Sequence, residues 1–441
     1  MAEPMRQMHL NCFMFGLGHH EAAWRYKGVD PTQLSDIRYY HRLAQMAERA
    51  KFDSIFFADG LAGGKGYVNF FEPLTLMSSL AGVTKHIGLI GTVSTTYTEP
   101  YNLARYFASL DHISKGRVGW NIVTTGHAAA ALNFNRDAHM EHTERYERAG
   151  EFLDVTTALW DSWEDGALVY DKAAGVMTDA ARIREINHVG KWFKVKGPLT
   201  IPRVPQGHPV LVQAGSSEDG RAFAAKYAEV IYTMQTEIGE ARQFYQDMQT
   251  RLVAAGRSPG QLKILPGIAV IIGETEEEAK EKEWRLNELS SLQNGLRRLS
   301  TLLGRDMSQY PLDGPLPELP DASEVNNQQT IYKVYVDLAR RENLTIRQLI
   351  HRTAAGRGDL TVVGTPLQIA DQLEKWFVTR ACDGFNIMPP YFPGGLEDFI
   401  QHVIPELQRR GLFRTEYTGS TLREHLGLPR PVNRFAAVSS N

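Results

Sequence analysis

The sequence predicts an α/β protein, a (β/α)8 TIM barrel in which residues 1–441 form one domain with two insertions. Short apolar runs alternate along the chain with amphipathic segments, which is typical of parallel strands joined by crossover helices. Eight such runs can be counted, and eight strands close a barrel of this kind. Polar residues directly follow several runs, where side chains at the C-terminal strand ends form the active site of such barrels.

The eight predicted strands are short and rich in apolar residues: 9–15, 53–58, 87–94, 117–124, 209–214, 230–233, 263–272 and 383–388. The predicted helices between and after them carry apolar residues at helical spacing: 32–49, 72–85, 101–114, 144–163, 217–227, 239–255, 365–379 and 396–409. Together they account for every layer of a barrel surrounded by helices.

Two long segments, about 164–208 and 274–357, interrupt the alternation and are predicted to be insertions. The first contains a predicted hairpin around 192–195. The second has a charged helical half, a Pro-rich centre and a further helix in LTIRQLIHRTA. Because it leaves from the end of a strand, we expect it on the active-site face, with 310–329 acting as a lid; the alternative is a surface elaboration that serves oligomer contacts.

Composition excludes several classes of protein. The net charge of -3 offers no basic surface for nucleic acid or membrane phosphates. No apolar run has the length of a bilayer span and the N-terminus has no apolar signal core, so a cytoplasmic protein is expected. Cys12 and Cys382 lie in apolar runs, which predicts buried structural thiols rather than a disulfide or a nucleophile.

The segment 213–221, QAGSSEDGR, predicts an anion site. A strand runs into Gly215, Ser216 and Ser217, and a helix begins there, so free N–H groups and the positive end of the helix dipole meet two hydroxyls. The alternative is an ordinary helix N-cap with nothing bound. The segment alone leaves both interpretations open.

A second group of polar residues surrounds the predicted strand 117–124. His142 and Tyr146 are four residues apart and share one face of a helix. At a barrel mouth both side chains can reach one ligand, and the alternative is a packed Tyr beside a solvent-facing His.

Two other kinds of site are not expected. His19 and His20 are adjacent, but HHEAAW is not the zinc motif H-E-x-x-H, so no metal is predicted. The Gly16-Leu17-Gly18 segment lacks the third glycine and the acidic partner of a dinucleotide fingerprint. A nicotinamide-binding domain is therefore not predicted.

Several ordered stretches resemble one enzyme family. GRVGWNIVTT, EHTERYERAGEFLDV, FFADGLA, PVLVQAGSSEDGR and RTEYTGSTLREHLGLPRP resemble the bacterial luciferase-like flavin-dependent monooxygenases. The similarity extends over nearly the whole chain. It favours the branch that contains nitrilotriacetate monooxygenase component A and the dibenzothiophene sulfone monooxygenase.

The resemblance implies FMN as the cofactor and assigns roles at the barrel mouth. Ser216 and Ser217 match the flavin phosphate site and Thr125 a hydroxyl on the phosphate or ribityl side. The other positions implied to bind the flavin are Asp59, Thr92, Asn121, His142 and Tyr146. The loop with His19 and His20 would lie near the flavin ring and substrate, and either imidazole is a candidate to manage a proton.

The implied reaction is that of a two-component monooxygenase. Reduced FMN, supplied by a separate NAD(P)H:flavin reductase, would react with O2 to a C4a-peroxide that oxidises a small organic substrate. C–N cleavage of an aminopolycarboxylate such as nitrilotriacetate is the favoured reaction, and a homodimer or homotetramer is expected. The alternatives are a thioether or sulfone monooxygenase, a coenzyme F420-dependent oxidoreductase and a non-catalytic flavin-binding protein.

Overall fold

A computed structural model describes residues 6–63, 70–321, 324 and 329–436. The strands, labelled in chain order, are β1 (His9–Met14), β2 (Ser54–Phe57), β3 (Gly88–Ser94), β4 (Val118–Val123), β5 (Leu168–Asp171), β6 (Val176–Thr178), β7 (His188–Val189), β8 (Lys194–Val195), β9 (Val210–Ala214), β10 (Val230–Thr233), β11 (Lys263–Ile272), β12 (Leu360–Gly364) and β13 (Gly384–Met388).

Eight of these strands close a parallel barrel, which confirms the predicted fold class. The order around the barrel is β1, β2, β3, β4, β9, β10, β11 and β13, and β13 pairs with β1 again. Each barrel strand matches one predicted apolar run to within one residue at either end.

One strand of the sheet, β12, was not predicted. The long strand β11 explains it, because residues 263–266 pair with β10, residues 267–269 with β13 and residues 268–272 with β12. β12 therefore extends the sheet above the barrel and is not needed to close it. Because eight apolar runs already sufficed for a closed barrel, no strand was assigned to 360–364 from the sequence.

Helices surround the barrel and also form most of the second insertion. They are α1 (Ile37–Arg49), α2 (Pro73–Ala81), α3 (Pro100–Ser114), α4 (His142–Asp161), α5 (Glu218–Tyr227), α6 (Ile238–Ala254), α7 (Glu276–Glu288), α8 (Leu292–Leu303), α9 (Gln329–Arg341), α10 (Ile346–Arg352), α11 (Pro366–Val378), α12 (Gly394–Asp398), α13 (Ile404–Arg409) and α14 (Leu422–His425). Within the described residues, none of them has the length and hydrophobicity that a bilayer span requires.

Side chains along each strand point alternately outward, to the layer between the barrel and the helices, and inward, to the barrel interior. In β4, Trp120 and Ile122 are buried against the surrounding helices, whereas Asn121 points the other way, into the barrel. In β9, Val210 and Val212 belong to the interior cluster and Leu211 to the outer one. Polar residues at the inward positions near the strand ends therefore face one shared space.

The two insertions have their own structure. The first contains the predicted hairpin, formed by β7 and β8, and a second hairpin of β5 and β6 that was not predicted. In the second, α8, α9 and α10 pack around Leu299, Tyr332 and Leu349, and Leu312 and Leu316 of the Pro-rich stretch pack on the same cluster. Residues 322, 323 and 325–328 of the predicted lid lie outside the described residues.

The two cysteines are buried, free thiols, as predicted. Cys12 lies in β1 and Cys382 directly before β13. Burial raises the pKa of the Cys12 thiol to about 12, so this thiol stays protonated.

Candidate active site

A cavity of about 410 Å³ opens at the C-terminal ends of the barrel strands. Its volume is in the range of small-molecule and cofactor sites. Of the ten residues that the sequence singles out, nine line it: His19, Asp59, Thr92, Asn121, Thr125, His142, Tyr146, Ser216 and Ser217. The tenth, His20, does not line the cavity.

Two buried amide side chains that line the cavity each have an oxygen without a hydrogen-bond partner. Asn121 donates from Nδ2 to Thr92 Oγ1 at 2.8 Å, and Thr92 donates to the Phe57 carbonyl at 2.7 Å. The Asn121 Oδ1 atom has no hydrogen-bond partner, and neither has Gln213 Oε1. Buried polar atoms are normally satisfied, so two unpaired acceptors lining one cavity indicate a ligand with N–H or O–H donors.

The turn between β9 and α5 forms one end of the cavity. Ser217 caps α5 by accepting a hydrogen bond from the Gly220 N–H at 3.2 Å, and Ser216 Oγ lies 3.0 Å from Thr233 Oγ1. A Cβ atom on Gly215 would lie 2.5 Å from Gln213 Nε2 and 3.2 Å from the Tyr146 hydroxyl, so a side chain there would displace the Gln213 amide. Ser217 is thus the N-cap of α5, and the same turn also lines the cavity, so an anion site there stays a prediction.

His142 and Tyr146 share a face of α4, as their spacing predicts. The His142 ring is 5.1 Å from the Tyr146 ring between centroids, and its Nδ1 lies 3.1 Å from Asp219 Oδ2. Burial raises the pKa of Tyr146. His142 is therefore oriented by a carboxylate of α5, and Tyr146 is a neutral phenol beside the Gly215 turn.

His19 and His20 face different surroundings. His19 donates from Nε2 to the Phe13 carbonyl at 3.0 Å, which leaves Nδ1 as an unpartnered buried acceptor. His20 turns away from the cavity and places Nε2 at 3.2 Å from Asn287 Oδ1 in α7. Burial lowers the pKa of His19 to about 3 and that of His20 to about 4, so both imidazoles are neutral at pH 7.

Sequence reasoning missed a buried acid in the cavity wall. The Tyr232 hydroxyl donates to Asp359 Oδ2 at 2.6 Å, and Asp359 Oδ1 has no partner. Burial raises the pKa of Asp359 to about 7, although the Tyr232 hydrogen bond opposes this. A Cβ atom on Gly267 would lie 2.4 Å from Asp359 Oδ1, so the glycine makes room for the carboxyl group.

Two arginines of the cavity wall were missed as well. Arg145 is buried in α4 beside Tyr146, donates to the Met140 carbonyl, and has an unpartnered Nε. Arg357 precedes β12 and places its guanidinium carbon 4.5 Å from the centroid of the Phe15 ring. Arg145 follows His142 by three residues in the helix, so helical spacing was a usable signal. No such signal existed for Arg357, because it lies directly before β12, a strand that the sequence did not predict.

The family model described as "Luciferase-like monooxygenase" matches residues 12–382. The chain belongs to the luciferase-like monooxygenase family. It is 50% identical to nitrilotriacetate monooxygenase component A of Aminobacter aminovorans, over 98% of this chain and 99% of that protein. It is 48% identical to the N-acetyl-S-(2-succino)cysteine monooxygenase of Bacillus subtilis (strain 168), over 99% and 100%.

A solved relative shows the same architecture. The crystal structure of a riboflavin lyase with modified FMN and riboflavin is 31% identical, covers 97% of each chain and superposes with a TM-score of 0.86. The predicted family and fold are thus confirmed, and the chain is a monooxygenase.

As for metals, the described part of this luciferase-like chain contains no group of three or more His, Cys, Asp or Glu placed to hold an ion. The expectation that no metal takes part stays a prediction.

Proposed function

We propose that the protein is an FMNH2-dependent monooxygenase that receives reduced flavin from a separate NAD(P)H:flavin reductase and oxidises a small organic substrate with O2. The observation that carries the proposal is the pair of buried, unpartnered amide oxygens on Asn121 and Gln213. A flavin ring carries an imide N–H group, and an amide oxygen can accept a hydrogen bond from it. A bound flavin would therefore satisfy a buried oxygen that has no partner in the protein.

The remaining parts of FMN also find suitable residues. Ser216, Ser217 and the N-terminus of α5 would hold the phosphate, since free N–H groups and a helix dipole favour an anion. Arg145 would supply the buried positive charge on this side. Thr125, which lines the cavity and whose hydroxyl donates to Ser94 Oγ at 2.6 Å, would contact the ribityl chain.

The protein's own residues bind, orient and keep the site dry. Bound reduced FMN supplies the electrons that activate O2. Phe13, Phe56 and Tyr232 form an aromatic wall, with ring centroids 4.8 Å apart for the two phenylalanines and 6.0 Å for Phe56 and Tyr232, which excludes water. His19 remains neutral, because burial lowers its pKa to about 3, and its Nδ1 can accept a hydrogen bond from a protonated group. Of the two histidine candidates we choose His19, since it lines the cavity and His20 does not.

The relatives support the two-component arrangement. The name of the Aminobacter enzyme, component A, implies a second component. The sequence contains no dinucleotide fingerprint that would let the chain use a nicotinamide cofactor itself. For the substrate, the relatives suggest C–N cleavage of an aminopolycarboxylate or oxidation of a thioether. We expect a homodimer or homotetramer.

Oxygen uptake tests the proposal. With NADH, FMN and an added FMN reductase, the enzyme should couple O2 consumption to conversion of nitrilotriacetate or N-acetyl-S-(2-succino)cysteine. NADH without the reductase should give negligible turnover. The enzyme should also bind FMN more tightly than riboflavin, because the β9–α5 turn holds a phosphate. Equal affinity for the two flavins, or hydride transfer from reduced F420 without O2, would contradict the proposal.

A further inference from the structure

We propose that Asp359 and Tyr232 form a proton-donating pair in the wall of the cavity, and that Asp359 supplies through Tyr232 the proton that monooxygenation consumes. This inference rests on the proposed function and deepens it by naming the acid of the reaction. Both residues line the cavity, and the flavin-binding roles described above use the polar group of neither.

The hydrogen bond between the two side chains is short and lies inside the barrel. Tyr232 is an inward-facing residue of β10, and its hydroxyl donates to Asp359 Oδ2 at 2.6 Å. Its ring is nearly parallel to that of Phe56, with the centroids 6.0 Å apart, and it meets the Phe13 ring edge to face at 5.7 Å. These aromatic contacts fix the phenol, so its hydroxyl stays beside the carboxyl group.

The chain is shaped to bring the Asp359 carboxyl group into the barrel wall. Asp359 directly precedes β12, and Gly358 before it has φ 102°, a conformation that residues with a side chain rarely adopt. A Cβ atom on Gly267 of β11 would overlap Asp359 Oδ1, so a larger residue there would push the carboxyl group away. Two glycines thus make room for one buried acid.

The surroundings of Asp359 favour its protonated form. Among the described residues, Tyr232 is the one hydrogen-bond partner of its side chain, Oδ1 has none, and no ion pair with Asp359 is present. A buried carboxylate without a cation is costly, so such a group retains its proton. Burial accordingly raises the pKa of Asp359 to about 7, although the Tyr232 hydrogen bond opposes this. Near neutral pH the group can both release a proton and regain one.

Protonation of Asp359 changes what the pair offers to a ligand. A protonated Asp359 can donate to the phenol oxygen, which frees the Tyr232 hydroxyl to donate into the cavity. An ionised Asp359 accepts the Tyr232 proton instead, and the pair then presents only acceptors. The pair is therefore a donor at low pH and loses this ability as the pH rises through the Asp359 pKa of about 7.

The overall reaction consumes one proton when reduced FMN is bound as its anion. The O–O bond breaks, one oxygen atom forms a bond to the substrate, and the other leaves as water with two hydrogens. A hydride equivalent from the flavin provides one hydrogen and two electrons, the substrate provides the other two electrons, and the second hydrogen arrives as a proton. The Tyr232 hydroxyl gives this proton to the departing oxygen, Asp359 reprotonates the phenol oxygen, and solvent reprotonates Asp359 after product release.

Six other titratable groups of the described residues line the cavity: His19, Asp59, His142, Arg145, Tyr146 and Arg357. None of them contributes to the pKa of Asp359, on which only burial and the Tyr232 hydrogen bond act. Burial lowers the pKa of His19 to about 3 and raises that of Tyr146, so both stay neutral near pH 7. Asp59 and Arg357 have interactions of their own, and His142 pairs with Asp219. The pair therefore titrates independently of the charges around it.

Infrared difference spectroscopy of the flavin-free enzyme tests whether the pair stores a proton. Between pH 5.5 and pH 8.5 the wild type should lose a band of a neutral carboxylic acid with a midpoint near pH 7, and Asp359→Asn should lack this band. Tyr232→Phe removes the hydrogen bond that stabilises the carboxylate, so the midpoint should rise by about 1–2 pH units. This shift also serves as the test if Asp359→Asn does not fold.

The matched control for the infrared experiment is Asp111→Asn. Burial raises the pKa of Asp111 to about 6, but its carboxyl group accepts from Gln206 and does not line the cavity. The variant should therefore retain the band that titrates near pH 7, and its turnover should match that of the wild type.

Single-turnover product formation tests whether the stored proton is used. Enzyme saturated with photoreduced FMN and with nitrilotriacetate or N-acetyl-S-(2-succino)cysteine is mixed with O2 at several pH values between 6 and 8.5. The wild-type rate should fall as the pH rises through about 7. Asp359→Asn should be at least about 100-fold slower at pH 6 and show no such fall, since a positioned acid contributes about 100-fold or more. Unchanged FMN affinity shows that the variant is folded.

Three further variants assign the pH dependence. Tyr232→Phe should also be slower at pH 6, because the group that passes the proton is gone. His142→Gln and Asp59→Asn remove the other cavity groups that could titrate, and whatever their rates, both should retain the wild-type midpoint. A midpoint that moved in either of these two variants and not in Asp359→Asn would assign the titration to another group and overturn the proposal.

The outcomes separate the proton transfer from the proposed function. A wild type without a carboxylic acid band near pH 7, or Asp359→Asn with the wild-type rate at pH 6, would overturn the assignment of Asp359. A slow Asp359→Asn whose rate still falls above pH 7 would show that Asp359 has only a structural role. A wild type with the predicted band but no reductase-dependent O2 uptake would contradict the proposed function and limit the pair to proton storage.

Discussion

At the scale of single residues, Ser217 has two roles that a substitution can separate. Its Oγ caps α5, and the same side chain lines the proposed phosphate end of the cavity. Aspartate caps helices as well as serine does. A change to aspartate therefore preserves the helix and alters only the charge that a ligand meets.

We predict that Ser217→Asp weakens FMN binding by at least about 1–3 kcal/mol, because a carboxylate would face the phosphate. Titration of protein fluorescence with FMN measures the change, and binding of riboflavin should be affected much less. The matched control is Ser291→Asp, at the N-cap of α8, where Oγ accepts from the Asn294 N–H at 3.2 Å. Equal losses for FMN and riboflavin would show that Ser217 does not contact a phosphate.

The residues found from sequence and those missed differ in how they reach the cavity. The resemblance singled out Thr92 and Asn121, and their positions as register partners on neighbouring strands agree with period-two alternation. Arg357 reaches His19 across 338 positions of sequence, and Asp359 reaches Tyr232 across 127. No local pattern encodes such contacts. His20 was grouped with His19 by adjacency, but neighbouring loop residues point in different directions.

At the scale of elements, the second insertion contributes the first turn of α9 to the wall of the cavity. The sequence suggested that 310–329 covers the site. In the structure, Leu312, Leu316 and Leu319 pack on the α8–α10 cluster, whereas Thr330 and Ile331 at the start of α9 line the cavity. We therefore expect the first turn of α9, which the cluster beneath it holds in place, to cover the cavity. A covering role for 310–329 stays a prediction, because six of its residues lie outside the described part of the chain.

We predict that Ile331→Ser increases the fraction of O2 released as hydrogen peroxide, since a smaller polar side chain admits water to the cavity. FMN affinity should change much less, because the apolar side chain of Ile331 offers the flavin phosphate no hydrogen bond. The ratio of peroxide formed to O2 consumed, measured with the added reductase, gives the result. Lys333→Ser, at an exposed position of the same helix, should match wild type. A peroxide fraction that stays at the wild-type value would show that α9 is not a cover.

At the scale of the whole molecule, the loop after β1 connects the barrel, the cavity and the second insertion. His19 lines the cavity, His20 contacts Asn287 of α7, and Glu21 forms an ion pair with Arg298 of α8. The insertion is thus attached to the barrel through buried groups that must remain neutral or paired. This attachment makes the stability of the protein sensitive to acid.

The sign of that sensitivity follows from the lowered pKa values of the two histidines. In the unfolded chain each imidazole takes up a proton near pH 6.5, whereas in the folded protein His20 does so only near 4 and His19 near 3. Between these limits the unfolded state binds more protons, so stability is lost as the pH falls below about 6.5. At pH 5 the loss is about 2 kcal/mol for each histidine, because one pKa unit corresponds to about 1.4 kcal/mol.

We therefore predict that the thermal unfolding midpoint falls between pH 7.5 and pH 5, and that the fall is smaller in His20→Gln. Glutamine retains a polar partner for Asn287 but has no proton to gain, so one of the two contributions disappears. His127→Gln, at an exposed histidine, should show the full wild-type fall. Scanning calorimetry at the two pH values measures all three proteins. If His20→Gln lost as much stability as wild type, protonation of the buried imidazole would not be the cause, and the pairs at Glu21 and other carboxylates would have to account for it.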